Sequence, residues 1–224
     1  VERKSMVMSD EEKKMTAYHE AGHAVVSIHY PASDPIHKAT IIPRGRALGM
    51  VMRLPETDKI SYLREKMHAD LAVSMGGRVA EELIFGHDKV SSGASSDIQY
   101  ATRLANAMVT QWGMSDSLGP VLFAQPEDNT APMIRSPDAI AKVDAEIKRL
   151  VVDAHEAAKK ILTEFSGELE RVAQALLQYE TITGEEITKI AKGETIDRPD
   201  PLAEAPKPIK SRLPSNRKGV DLTP

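Results

Sequence analysis

Apolar positions along most of this chain recur at three- and four-residue steps, the spacing of helices that lie on a core. Ser9 with Glu12 three residues later reads as a capping box, and Asp10 and Glu11 suit the first turn of the helix it opens. That helix is expected from about Asp10 to Tyr30. Ala17, Ala21, Ala24, Val25 and Ile28 share one arc, Tyr18, Gly22 and Val26 widen it, and Pro31 and Pro35 end it. Two strand-like runs follow, Ala39-Thr40-Ile41-Ile42 and Leu48-Gly49-Met50-Val51-Met52, joined by a turn at Pro43-Arg44-Gly45-Arg46. A lone hairpin is marginal, so it should rest on the first helix.

Helical spacing returns from Asp58 to Phe85, with Ile60, Leu63, Met67 and Leu71 on one face and a break or bend expected at Gly76-Gly77. Gly86 to Ser95 is small and polar, a loop. Ser96 with Gln99 reads as a second capping box, placing Asp97 at the first helical position above Ala101, Leu104 and Met108, in a helix reaching Trp112. Gly113 stops it. Val121-Leu122-Phe123 reads as a short strand and Gln125 to Arg135 as a loop. Ser136-Pro137 opens a long helix through Ile140, Val143, Ile147, Leu150, Ala154, Ile161 and Phe165. Leu169 to Leu177, and a capped helix at Thr183-Gly184-Glu185-Glu186, complete a helical second half. The fold class is mainly α with a small hairpin or sheet.

Composition bounds the rest. The 224 residues are 41% hydrophobic and 28% charged with net charge -4, ordinary globular values without a basic footprint for nucleic acid. The absence of cysteine excludes a disulfide scaffold and thiolate metal ligands. No apolar run approaches the roughly 20 residues needed to cross a bilayer. Residues 1–9 read as a linker from an upstream module, 10–195 as one folded domain, and 196–224, rich in proline, as a disordered tail.

The chemistry concentrates at His19-Glu20-Ala21-Gly22-His23. Histidines four apart on a helix stand one turn apart on one face, at the edge of the buried arc, and both imidazoles can reach one zinc ion. Glu20, in the adjoining sector, can take a proton from a zinc-bound water, which is the logic of the zinc-hydrolase pattern. Catalytic zinc uses three protein ligands, so a third must come from elsewhere. Among His29, His37, His68, His87, His155, Asp88, Glu81, Glu82 and Asp97, spacing leaves Asp97 level with the Glu81/Glu82 pair. There is no phosphate-binding loop and no nucleophile elbow.

Four motifs taken together resemble the FtsH family of membrane-anchored AAA+ zinc metalloproteases. They are Tyr18-His19-Glu20-Ala21-Gly22-His23-Ala24, Gly76-Gly77-Arg78-Val79-Ala80-Glu81-Glu82, Ser92-Gly93-Ala94-Ser95-Ser96-Asp97-Ile98 and Met108-Val109-Thr110-Gln111-Trp112-Gly113-Met114-Ser115. The resemblance runs from about residue 3 to 195 and covers the protease domain alone. It implies one zinc per chain on His19, His23 and Asp97, with Glu20 as catalytic base in peptide hydrolysis. It further implies a homo-hexamer, polypeptide substrates, and an AAA+ ATPase domain upstream that uses ATP and Mg2+. It places the full-length protein at the cytoplasmic face of the inner membrane, this portion being soluble. The Leu48–Val51 run is a plausible edge for an extended substrate. The rival reading is a non-catalytic helical oligomerisation module with a structural zinc.

Overall fold

The computed structural model describes residues 8–43, 48–55, 61, 63–123 and 136–198. The expected linker before Met8, most of the hairpin turn, the loop from Gln125 to Arg135 and the tail beyond Arg198 lie outside the described residues.

Helix α1, Asp10–His29, opens on the expected capping box: Glu12 N–H donates to Ser9 Oγ at 3.2 Å, and Ser9 N–H donates to Glu12 Oε2 at 3.0 Å. Every residue from Thr16 to Ser27 except His19 is buried, so α1 is a central helix rather than one with a single apolar face. Its many alanines allow this, because neighbours can approach from several sides.

The hairpin forms from β1, Ile36–Thr40, and β2, Met50–Arg53, antiparallel with Thr40 opposite Met50 and Ala39 opposite Val51. A third strand not expected from the sequence, β3, Thr181–Thr183, pairs antiparallel with β1 and places Ile182 opposite Ala39. The order β2-β1-β3 leaves β2 at an edge.

Helix α2, Arg64–Phe85, continues unbroken through Gly76-Gly77, so no break forms there. The glycines serve a helix crossing instead. A Cβ on Gly22 would lie 2.3 Å from Gly76 O, and one on Gly76 would lie 2.7 Å from Gly22 O, so the backbones of α1 and α2 touch directly. Leu63 precedes the helix and is exposed, so the buried face begins at Met67 and Leu71.

Helix α3, Ser95–Thr110, also starts differently from expectation. A 3-10 turn at Ser92–Ala94 leads directly into it, Ala94 is the N-cap, and no Ser96–Gln99 box forms. Asp97 is therefore the third helical residue. Ala101 and Met108 are buried below it as the stripe predicts, while Trp112 lies beyond the helix end and is exposed. Val121–Phe123 is not a strand; Phe123 N–H donates to Thr110 O at 2.7 Å, so this segment follows the end of α3.

Helix α4, Pro137–Glu164, has Ser136 as N-cap and proline in its first turn, α5 is Ser166–Tyr179, and α6, Gly184–Ala191, carries the expected Thr183–Glu186 capping box. Leu150, Leu162, Leu169, Leu176 and Ile187 make this half's core. The architecture is mainly α with one small sheet.

Candidate active site

α1 presents His19 and His23 one turn apart, and the start of α3 brings Asp97 to them. The two Nε2 atoms are 3.1 Å apart, and Asp97 Oδ2 is 3.3 Å from His19 Nε2 and 3.6 Å from His23 Nε2. Among the described residues this is the group of three or more potential ligands placed to hold a metal ion. Donor atoms at tetrahedral angles on bonds of about 2.0–2.1 Å stand about 3.3 Å apart, so the triangle has the size of a zinc site with one position left over. Two imidazole nitrogens and one carboxylate oxygen are also the donor types zinc accepts. The residues fit the group.

The remaining ring nitrogens are held. His23 Nδ1–H donates to Val73 O at 2.7 Å, and His19 Nδ1–H to Glu81 Oε1 at 2.8 Å, so both Nε2 atoms are left to face the triangle. Glu81 is itself fixed by Ser91, whose N–H donates to its Oε2 at 2.7 Å and whose hydroxyl donates to its Oε1 at 3.1 Å. Glu81 thus touches the site through His19 Nδ1 and stands outside the group of three. Glu82 turns away to Arg78 and His155. The other histidines lie apart from the site: His29 pairs with Glu168 and stacks on Phe165, and His37 and His87 are exposed, His87 beside Asp88.

Electrostatics follow the geometry. Burial works against charging His19, but hydrogen bonds to Asp97 and Glu81 outweigh it and push its pKa up to about 10 in the metal-free protein. Burial likewise opposes the Asp97 charge, yet the same two imidazoles hold its carboxyl well below the usual carboxylate range. Glu81 moves down for the same reason, burial being outweighed by His19 and Ser91. Glu20 is the exception. It is 5% exposed, accepts no hydrogen bond among the described residues, and is pushed up by burial against the pull of His23 and His19.

These groups line a cleft of about 980 Å³. Leu48 to Val51 and the edge strand β2 form one wall, with Met15 and the segment Ser91–Asp97 around the rest. Ser91 and the Val73 carbonyl are functional contacts that sequence reasoning missed. A backbone carbonyl leaves no mark in a sequence, and a serine in a small polar loop resembles its neighbours.

Comparison with known proteins identifies the family. Residues 6–190 match the model of peptidase family M41. The chain is 57% identical over 194 residues to an ATP-dependent zinc metalloprotease FtsH of Neorickettsia risticii, covering 87% of this chain and 30% of that protein. It is 54% identical over 202 residues to the protein of the same name from Rickettsia bellii, covering 88% of this chain and 32% of the relative. A more distant relative, the mitochondrial inner membrane i-AAA protease supercomplex subunit YME1 of Saccharomyces cerevisiae, is 47% identical over 197 residues, 88% of this chain and 26% of its own length. The chain therefore spans about a third or less of the length of these relatives. A family match over most of the chain, joined to half or more identity with the bacterial relatives, means that the chain belongs to peptidase family M41.

Proposed function

We propose that residues 10–195 are the zinc-dependent endopeptidase domain of an ATP-dependent, membrane-tethered protease, with His19, His23 and Asp97 as metal ligands and Glu20 as general base. The observation that carries this reading is the ligand-sized triangle of two Nε2 atoms and one carboxylate oxygen, open to a cleft beside a buried carboxylate that accepts no hydrogen bond among the described residues.

Zinc held by these residues supplies Lewis acidity, polarising the scissile carbonyl and acidifying the attacking water. Glu20 takes the proton of that water and passes it to the leaving amine; burial raises its basicity, which suits proton transfer near neutral pH. Val73 O and Glu81 hold the imidazoles in the ligating tautomer. An extended substrate adds to the free edge of β2, where main-chain hydrogen bonds recognise polypeptide without regard to sequence. Such generality suits a protease fed with unfolded or membrane proteins. The relatives' names, one ATP-dependent and one an i-AAA protease of an inner membrane, support an AAA+ ATPase domain in the whole protein. The family resemblance extends the proposal to ATP and Mg2+ in that domain, a homo-hexamer, and a place at the cytoplasmic face of the inner membrane. No helix among the described residues is long and apolar enough to cross a membrane.

Metal analysis joined to casein cleavage tests the assignment. Wild type should carry about one zinc per chain. Glu20→Gln should keep the metal and lose cleavage, and Asp97→Asn should lose both. Retained cleavage in Glu20→Gln removes the base. Zinc loss in Glu82→Gln with zinc kept in Asp97→Asn removes the third ligand. A wild-type chain that binds zinc and assembles but cleaves nothing leaves the structural-zinc module. The three-ligand set weighs against that outcome, because structural zinc sites are closed by four protein ligands.

A further inference from the structure

Two glycines in this chain are in neither a turn nor a left-handed backbone, and each lies against one functional side chain. Gly77 is in the middle of α2, where alanine is intrinsically the better helix former. Gly49 immediately precedes β2. Neither is among the glycines of positive φ, which are Gly86, Gly113, Gly119 and Gly193. Space is therefore the reason for glycine at both.

A Cβ at Gly77 would lie 2.5 Å from His19 Cε1, 2.5 Å from Nε2 and 2.7 Å from Cδ2. The three distances are nearly equal, so the Cβ would press on the flat of the imidazole ring, and Nε2, the atom 3.3 Å from Asp97 Oδ2, is among the atoms it meets. The ring cannot swing aside without leaving Glu81, which holds its Nδ1 at 2.8 Å. A Cβ at Gly49 would lie 2.5 Å from Glu20 Oε1, 2.8 Å from Cγ and 2.9 Å from Cδ. Bringing 2.5 Å out to the 3.4 Å where ordinary contact begins moves that carboxylate by about 1 Å, enough to cost about 100-fold in turnover. The pair Gly22–Gly76 differs, since there backbone meets backbone and what is set is the helix crossing.

We propose that Gly77 and Gly49 are positioning residues, Gly77 seating the His19 imidazole for the metal and Gly49 seating the Glu20 carboxylate for proton transfer. This rests on the roles given to His19 and Glu20 above. The two halves separate by phenotype. In Gly77→Ala the ligand is displaced, so zinc affinity falls about 10- to 100-fold, the range for losing support of a metal-bound histidine. In Gly49→Ala the metal stays, KM is unchanged, and kcat falls about 100-fold. A wall residue that merely narrows the cleft would instead raise KM.

The test is a pair of double-mutant cycles read by thermal unfolding of the whole chain, alongside zinc content and casein kinetics of the single variants. Gly49→Ala should lower the melting temperature in wild type and cost little in a Glu20→Ala background, where the three atoms it meets are gone. Gly77→Ala should behave the same way against His19→Ala. If either single variant fails to fold, recovery of folding in its paired background supports the proposal, and continued failure there overturns it. The proposal also falls if Gly77→Ala melts higher and keeps its zinc, as an unconstrained helical glycine would, or if Gly49→Ala keeps wild-type kcat. Because unfolding reads only steric coupling, an active Glu20→Gln would remove the catalytic reading while leaving the cycles to answer on their own.

Discussion

Glu20 and Glu146 are equally hidden from water, each 5% exposed, yet they titrate in opposite directions. Glu146, on α4, accepts from Arg149 Nη2 at 2.7 Å, Arg149 Nε at 2.8 Å and Ser115 Oγ at 2.9 Å. The Arg149 hydrogen bonds outweigh its burial and bring its pKa down to about 2. Glu20, on α1, has no such donor among the described residues, and burial carries it up. Burial alone therefore does not define a carboxylate's role. The donors around it do: the fold supplies them to Glu146, and none reaches Glu20 among the described residues. Glu81 stands between the two: buried and fully partnered, it spends its charge on orienting His19.

This contrast can be broken in several ways. The largest effect is expected at the unpartnered carboxylate. Glu20→Gln should lose about 10²- to 10⁴-fold in kcat, the usual share of general acid–base catalysis, while its melting temperature holds or rises, because a buried charge without donors has been removed. A clear drop in melting temperature would mean that Glu20 has partners after all. Glu146→Ala should do the opposite. Loss of its charge-assisted hydrogen bonds should destabilise the chain by about 2–3 kcal/mol in denaturant unfolding, with casein cleavage below the melting range unchanged.

A smaller effect should appear in the pH dependence of stability. Because Glu146 titrates lower when folded than its ordinary value of 4.5, its contribution is complete above about pH 4.5 and is lost as pH falls toward about 2. Glu146→Gln should flatten that part of the stability profile, by no more than about 2 kcal/mol since Arg149 is half exposed and partly screened by water. The smallest effect is expected at Ser91→Ala. The backbone N–H still holds Glu81 Oε2, so zinc affinity should fall by less than about 10-fold in competition with a chelator. A larger loss would make the hydroxyl, rather than the amide, the main support of Glu81.

Local signals were the legible ones. The capping boxes at Ser9–Glu12 and Thr183–Glu186 and the Ser136-Pro137 start of α4 formed as read, because each is settled by atoms within one turn. Signals whose meaning lay across the fold misled. Gly76-Gly77 has the composition of a break, but helix hydrogen bonds continue through it once α1 is there to use the space. The Ser96–Gln99 box lost to a 3-10 turn that enters α3 two residues earlier. Strand β3 is three residues long and exists because β1 offers an edge, while Val121–Phe123 lies beside no strand among the described residues.

At the site the division is similar. The spacing of His19 and His23 and the adjacency of Glu20 follow from helical periodicity, which sequence alone determines. Resemblance pointed to Asp97, but residue spacing left it level with Glu81 and Glu82. Tertiary structure separated these acids: it turns Asp97 to both Nε2 atoms, sets Glu81 behind His19, and sends Glu82 to Arg78 and His155. The physical reason is range. A helix dictates which of its own side chains share a face, whereas which acid meets that face depends on the crossing of α1 and α2 and on the entry into α3, contacts between residues tens of positions apart.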